Sequence, residues 1–319
     1  MALYLSEEDV RQVLTMPLAL EAVTAAHREL AGNATTAQDT PRARTRLPQT
    51  TLHLLQGALP GHGILGYKAY TSNRSGNRFQ VHLFDAANGE ALAIIAADFL
   101  GMMRTGAASG VAAQYLAKPG ASVAGVFGSG WQAEGHILAL CTALPLQRVN
   151  VFARDAAKLA DFCQRMSERT GVDIVPASSA EATVRAAEII GTVTTASSPL
   201  FDAAWLQPGS HINGAGSNSI IRQELSEATL RKCDLIVVDT VDTALKEAGD
   251  LLPLLEKGRL QSRQLLELGE VIVGHRTGRS DASQITLFES QGLAVQDLAL
   301  ASRVLALAKA QGLGQALPF

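Results

Sequence analysis

The stretch VAGVFGSGWQAEGH, residues 123–136, constrains this chain more than any other segment. A short apolar run leads into Gly128, Gly130 and Ala133 in the spacing G-x-G-x-x-A, and residues 131–140 can form the helix that follows. A second apolar run, RVNVFA at 148–153, arrives where the next strand of a βαβ unit belongs. In that setting Gly128 permits a tight turn, Gly130 lets backbone approach a pyrophosphate, and Ala133 still allows the helix to pack on the strand. The first turn of the helix offers unpaired N–H groups, so Ser129, Gly130, Trp131 and Gln132 are the expected cradle. A glycine turn that binds nothing is the alternative, and the flanking pattern favours the cradle.

The same rhythm continues downstream. A helix from Asp155, the run VDIVPA at 172–177, a helix near 180–187, EIIGTVTT at 188–195, SHINGAG at 210–216 and CDLIVVDT at 233–240 follow in turn. This alternation predicts a parallel sheet with helices on both faces, an α/β Rossmann-type domain. Upstream of Pro119 the texture differs. Residues 6–30 read as two helices, with Ser6 as N-cap and Pro17 opening the second. Residues 50–59, 63–71 and 79–97 read as strands, the last a hairpin, and 101–120 as a helix rich in small residues. Residues 293–311 read as one amphipathic helix. With 319 residues, two domains are expected, divided near 118/119 and again between 280 and 292.

Charge and cysteine usage exclude several function classes. A net charge of −3 leaves no footprint for nucleic acid or an anionic membrane, and PRARTR at 41–46 suits one small anion at most. Cys141, Cys163 and Cys233 form neither a metal motif nor a disulfide framework. No apolar run approaches the roughly 18 residues of a membrane span, and the N-terminal residues do not read as a signal peptide. A cytoplasmic enzyme is expected. His53, His62, His82, His211 and His275 lack zinc-ligand spacing, so no metal is expected. His82 and His211 read as structural histidines, and Ser109 and Ser217 lack a hydrolase context.

The end of the second strand reports on cofactor choice. An NAD site places Asp or Glu there for the ribose hydroxyls. This chain has Ala153 and Arg154, which suit a 2′-phosphate, so NADP(H) is favoured. Asp155, two residues on, is either a ribose ligand for NAD(H) or a helix N-cap. Three cations in the first part suggest a carboxylate clamp. Lys68 interrupts an apolar strand, Arg104 opens the small-residue helix, and Arg42 follows a proline. Each also has an ordinary reading: an edge-strand lysine, an arginine paired with an acid such as Asp98, a solvated loop arginine. Asp297 reads as a helix-start acid or as a neighbour of the site.

Taken in order, GYKAYTSN, MMRTGAASGVAAQYLA, GVFGSGWQAEGH, PGSHINGAGSN and SDASQITLFESQGLAVQDLA make the chain resemble the ornithine cyclodeaminase/mu-crystallin family over nearly its whole length. The resemblance implies a Rossmann domain at 119–289, inserted into an α+β substrate-binding and dimerisation domain built from 1–118 and about 290–319. It also implies a homodimer. It implies that Arg42, Lys68 and Arg104 hold a substrate carboxylate, with Arg44 as the alternative to Arg42. By the same resemblance, Thr105 contacts a cofactor phosphate at the helix start, while Thr194, Thr195, Ala196 and Gly216 line the nicotinamide.

One position departs from the pattern. Where cyclodeaminases carry an acidic base, this chain has Asn218, which cannot take up a proton but can hydrogen-bond a substrate nitrogen. The expectation is therefore reduction of a cyclic imino acid of the pyrroline-2-carboxylate or piperideine-2-carboxylate type, Lys68 serving in the clamp and either Lys68 or solvent supplying the proton. Ornithine cyclodeaminase, an alanine or N-methylamino-acid dehydrogenase, and a non-catalytic NADPH-binding protein of mu-crystallin type are the alternatives.

Overall fold

The computed structural model describes residues 1–32 and 37–318 and divides into two compact units, Met1–Arg104 with Gly292–Phe319, and Thr105–Gln291. The first change of unit falls inside the helix Asp98–Leu116 rather than at Pro119, because that helix runs on from one unit into the other.

The first unit is built on a seven-stranded sheet. From edge to edge its strands are Gln315–Ala316, Leu3–Leu5, Ala91–Ala96, Gly76–Asp85, Ile64–Asn73, Thr50–Leu59 and Gln38–Arg46. The expected strands are present. The segment read as a basic loop is also a strand, Gln38–Arg46, paired antiparallel with Thr50–Leu59. Its register shifts between Thr40 and Ala43, so Pro41 and Arg42 form a bulge. Ser6 caps the helix Glu7–Val13 in a reciprocal capping box with Asp9, and Pro17 sits in the first turn of Met16–Ala31.

The C-terminal helix spans Ala294–Ala310 and departs from simple amphipathicity. Its first eight residues, 294–301, are buried on every side, and only from Ser302 onward do exposed positions alternate with buried ones. Gly57 and Gly66 let this helix lie close on the sheet. A Cβ on Gly57 would come within 3.0 Å of Val295, and one on Gly66 within 3.1 Å of Leu298.

The second unit carries an eight-stranded parallel sheet in the order Leu265–Glu267, Leu235–Val238, Thr286–Glu289, His211–Gly214, Ile189–Thr192, Val123–Phe127, Arg148–Phe152 and Asp173–Pro176. The central strands are buried along their length, as parallel strands covered on both faces must be. One core gathers Phe127, Ile190, Ile212 and Leu287 on one face, and another gathers Val126, Val149, Ile137 and Phe162 on the other. Each large side chain so buried contributes about 1.5–3 kcal/mol. The small-residue helix does what its composition suggested: a Cβ on Gly106 would lie 2.2 Å from the Gly135 carbonyl oxygen, so two helices meet there at backbone distance. Among the described residues no helix is long and apolar enough to cross a membrane.

Candidate active site

Strand order places Val123–Phe127 between Arg148–Phe152 and Ile189–Thr192, where the winding of the sheet reverses. Open α/β sheets bind ligands beyond the carboxyl ends of strands at such a point. Gly128 leaves this strand with φ +116°, and its N–H donates to the Phe152 carbonyl at 2.9 Å. A side chain there would be strained and would meet the Val193 carbonyl at 2.9 Å. Gly130 is the N-cap of the helix Trp131–Ala143 and brings no side chain to its first turn, while the space where its Cβ would stand is open. Ala133 is fully buried against the strand. Ser129 and Trp131 are half-buried and Gln132 is exposed. An open glycine N-cap on a long helix fits a pyrophosphate.

Ala153 follows the strand Arg148–Phe152, and Arg154 is exposed beside it. Asp155 is engaged as the N-cap of Ala156–Thr170, accepting from the Lys158 N–H at 3.3 Å.

Two turns leave the neighbouring strands Ile189–Thr192 and His211–Gly214. Thr194, Thr195 and Ala196 lie in the first, with Thr195 exposed. Gly216 and Asn218 lie in the second, with Asn218 exposed. Arg222 donates from Nη1 to the Thr195 carbonyl, and Gln223 N–H donates to Ala196 O at 3.0 Å. His211 is buried, with Nδ1 2.9 Å from Thr286 Oγ1, and burial followed by the Arg279 charge pushes it down to about 3. It stays neutral and structural.

The cations of the first unit converge only in part as expected. Lys68 faces inward from Ile64–Asn73, 4% exposed, opposite Leu55 and Val81 on the flanking strands. Its Nζ donates to Asp297 Oδ1 at 2.8 Å. Arg104, 6% exposed, donates from Nε to the same oxygen at 3.0 Å and from Nη1 to Gln296 Oε1 at 3.3 Å. Asp297 is fully buried, and the cations it serves come from a strand and a helix far away in sequence. Room for them is left by glycine. A Cβ on Gly101 would be 3.0 Å from Lys68 Nζ, and one on Gly292 2.3 Å from Arg104 Nη1.

The electrostatics follow from this sharing. Burial pushes Lys68 down to about 8, against the pull of Asp297 and with the push of Arg104 and Arg42. Burial also opposes ionisation of Asp297, but Arg104 and Lys68 outweigh it and hold the carboxyl below its usual range. One carboxylate thus serves two buried cations, which leaves positive charge in excess. Arg42, in the bulge, has its guanidinium 6.0 Å from the Tyr70 ring. Its charge acts on Lys68, and Arg42, Arg44 and Arg46 together act on His53.

Three expectations need correction. Arg104 pairs with Asp297 and not with Asp98. Neither Arg104 nor Thr105 opens its helix, because the helix begins at Asp98. Its start is taken by Glu7, whose carboxylate accepts the Asp98 and Phe99 N–H groups at 2.6 and 3.1 Å. Thr105 therefore has only its hydroxyl to offer a phosphate. Finally, Arg42 lies on a strand and not in a loop.

Residues 2–312 match the model of the ornithine cyclodeaminase/mu-crystallin family. The chain belongs to this family. It is 32% identical over 99% of its length to the whole Delta(1)-pyrroline-2-carboxylate reductase of Bacillus cereus. Among solved structures, the Thermococcus litoralis Delta(1)-pyrroline-2-carboxylate reductase, in complex with NADH and L-proline, superposes with a TM-score of 0.93 at 29% identity, covering 99% of this chain and 100% of that one. An archaeal alanine dehydrogenase dimer with bound NAD superposes with a TM-score of 0.92 at 29% identity, covering 100% of this chain and 99% of that one. Family membership agrees with the inserted Rossmann-type sheet and the mostly antiparallel sheet built from both ends of the chain.

Proposed function

We propose that this protein is an NAD(P)H-dependent reductase that converts a cyclic imino acid of the pyrroline-2-carboxylate or piperideine-2-carboxylate type to the cyclic L-amino acid. The observation that carries this reading is the shared Asp297. Lys68 and Arg104 are buried with one carboxylate between them, and a substrate carboxylate supplies the missing negative charge. Arg104 offers its guanidinium edge for a bidentate contact, Lys68 a point charge, and Arg42 approaches from the bulge. With its pKa near 8, the Lys68 ammonium is also able to give a proton to the imine nitrogen near neutrality. A bound reduced nicotinamide supplies the hydride that reduces the imine carbon. The residues suited to hold the dinucleotide are Gly128 to Gln132 at its pyrophosphate, Thr105 through its hydroxyl, and the turns carrying Thr194, Thr195, Ala196 and Gly216 at its nicotinamide end. Asn218 can donate or accept a hydrogen bond but cannot act as the base of a cyclodeaminase.

NADPH is the favoured cofactor. With Asp155 engaged in capping its helix, Ala153 brings no carboxylate to repel a 2′-phosphate and exposed Arg154 can pair with one. A homodimer is the favoured assembly. The outer face of the seven-stranded sheet presents Leu52, 46% exposed, and Leu65, 38% exposed, the latter beside Tyr67 and Phe84. A shallow cavity of about 260 Å³ lies on this face over Gly57 and Gly66. A second copy of the chain, laying the same apolar face against it, satisfies a surface of this kind by two-fold symmetry.

The deciding experiment mixes the protein with NADPH or NADH and a panel of cyclic imino acids, pyruvate with ammonia or methylamine, and ornithine, following nicotinamide absorbance and ammonia release. Turnover of a cyclic imine with faster use of NADPH is expected. Reductive amination of pyruvate in preference to every imine would replace this reading with an amino-acid dehydrogenase, and ammonia from ornithine would restore a cyclodeaminase.

A further inference from the structure

The second unit holds a carboxylate that has no part in the chemistry above yet joins two of its proposed cofactor turns. Glu224 is fully buried. Its Oε1 accepts from the Thr194 N–H at 2.6 Å and the Thr194 hydroxyl at 2.7 Å, while its Oε2 accepts from the Gly216 N–H at 2.8 Å. Each oxygen therefore holds a different turn, one leaving Ile189–Thr192 and the other leaving His211–Gly214. Glu224 is itself anchored: Asp250 Oδ1 accepts from the Glu224 and Leu225 N–H groups at 2.8 and 3.1 Å. Glycine at 216 is a condition of this arrangement. A Cβ there would lie 2.6 Å from Glu224 Oε1 and 2.4 Å from the Thr194 carbonyl.

We propose that Glu224 is a positioning residue that clips these two turns together and so fixes the walls of the nicotinamide end of the dinucleotide site. This rests on the cofactor reading above. Backbone N–H groups have no side-chain freedom, so a rigid acceptor between two turns sets their spacing without touching the ligand. A carboxylate is required because both oxygens must accept. The amide of Gln has one acceptor, and its NH2 would face an N–H donor.

The experiment compares the full dinucleotide with ADP-ribose, the same molecule without its nicotinamide ring. ADP-ribose reaches the Gly128 loop and the Arg148–Phe152 strand end but lacks the nicotinamide. In Glu224→Gln, ADP-ribose affinity is expected to match wild type. NADPH and NADH affinity should fall about tenfold, the order expected for one hydrogen bond to a charged group. The fluorescence of bound NADPH should also move toward that of the free nucleotide. Equal weakening of ADP-ribose and NADPH would overturn the proposal in favour of a merely structural acid, and so would unchanged binding of both. If Glu224→Gln does not fold, Gly216→Ala, which drives a methyl group into the clip, is expected to show the same split and is judged by the same two outcomes. No imine enters these titrations. A wild-type protein that fails to bind NADPH and NADH overturns the cofactor reading and the clip together, whereas wild-type binding with no split in the variants overturns the clip alone.

Discussion

Replacing Asp297 by Asn isolates the charge of the buried cluster. The substitution keeps the shape and leaves an oxygen facing Lys68 Nζ at 2.8 Å and Arg104 Nε at 3.0 Å, but removes the Asp297 charge, which favours the Lys68 ammonium against burial. An opposite charge at this range moves a titrating group by about 1–3 pH units. Lys68, near 8 in the wild type, is therefore expected to lose its proton about 1–3 pH units earlier in the variant. The assay is the pH dependence of kcat/KM for imine reduction, both proteins using one imine so that the substrate's own titration cancels. Wild-type activity should fall above pH 8, and the limb should move acidward in Asp297→Asn, with a loss of about tenfold or more at pH 8. Stability gives an independent check. The folded pKa of Lys68 lies below its ordinary 10.5, so between about 8 and 10.5 the unfolded chain holds more protons and Lys68 makes stability rise with pH. In the variant that rise should begin at lower pH. The variant should also lose up to about 3–5 kcal/mol at low pH, where two cations face each other without their carboxylate. An alkaline limb and a melting profile that both stay where the wild type has them would refute the assignment of this titration to Lys68.

Three other outcomes are expected. Lys68→Ala should abolish reduction while leaving NADPH affinity, read by nucleotide fluorescence, at the wild-type level; unchanged turnover would return Lys68 to a structural role. Arg154→Ala should lower the ratio of kcat/KM for NADPH over NADH by about tenfold, the loss of one charge-assisted contact, and an unaltered ratio would show that the 2′-phosphate is recognised elsewhere. Leu65→Glu, placing a charge on the outer face of the first-unit sheet, should shift the molar mass by light scattering from two chains to one, and a persistent dimer would place the interface on another surface.

The elements that carry the fold were legible because their signals are local. The glycine spacing at 128–133, the apolar runs of the parallel strands, Ser6 before its acids and the strand at 50–59 bounded by PGHG all act within a few positions. The strand Gln38–Arg46 was not legible. Its sequence QDTPRARTR lacks apolar alternation and contains a proline, and it is held at the sheet edge by its partner Thr50–Leu59 through a bulge. Asp297 was read as a helix-start acid or a neighbour of the site, but its pairing with Lys68 and Arg104 was hidden. Its position in the first turn of a helix is explained by the helix dipole alone, and its partners stand 229 and 193 residues away. The signal that could have found it is the interruption of LAVQDLALA by two polar residues in a run otherwise fit for burial, matched by a lysine interrupting an apolar strand. Each needs a buried partner of opposite character, and together they supply one.

The glycines outside the cradle point the same way. Gly101 and Gly292 stand where a Cβ would strike Lys68 and Arg104, and Gly214 and Gly216 where it would strike Glu289 and Glu224. None of these four sits in the loop 128–133, and Gly101, Gly214 and Gly216 lack a positive φ, so turn geometry does not account for those three. They are spaces kept clear for the polar ends of buried side chains. A glycine in this chain thus has two readings, a backbone that must turn or a polar group that must fit. The second identifies the polar partner only after the fold has brought it close, which is why HINGAG could be recognised as a motif while the acid it accommodates could not.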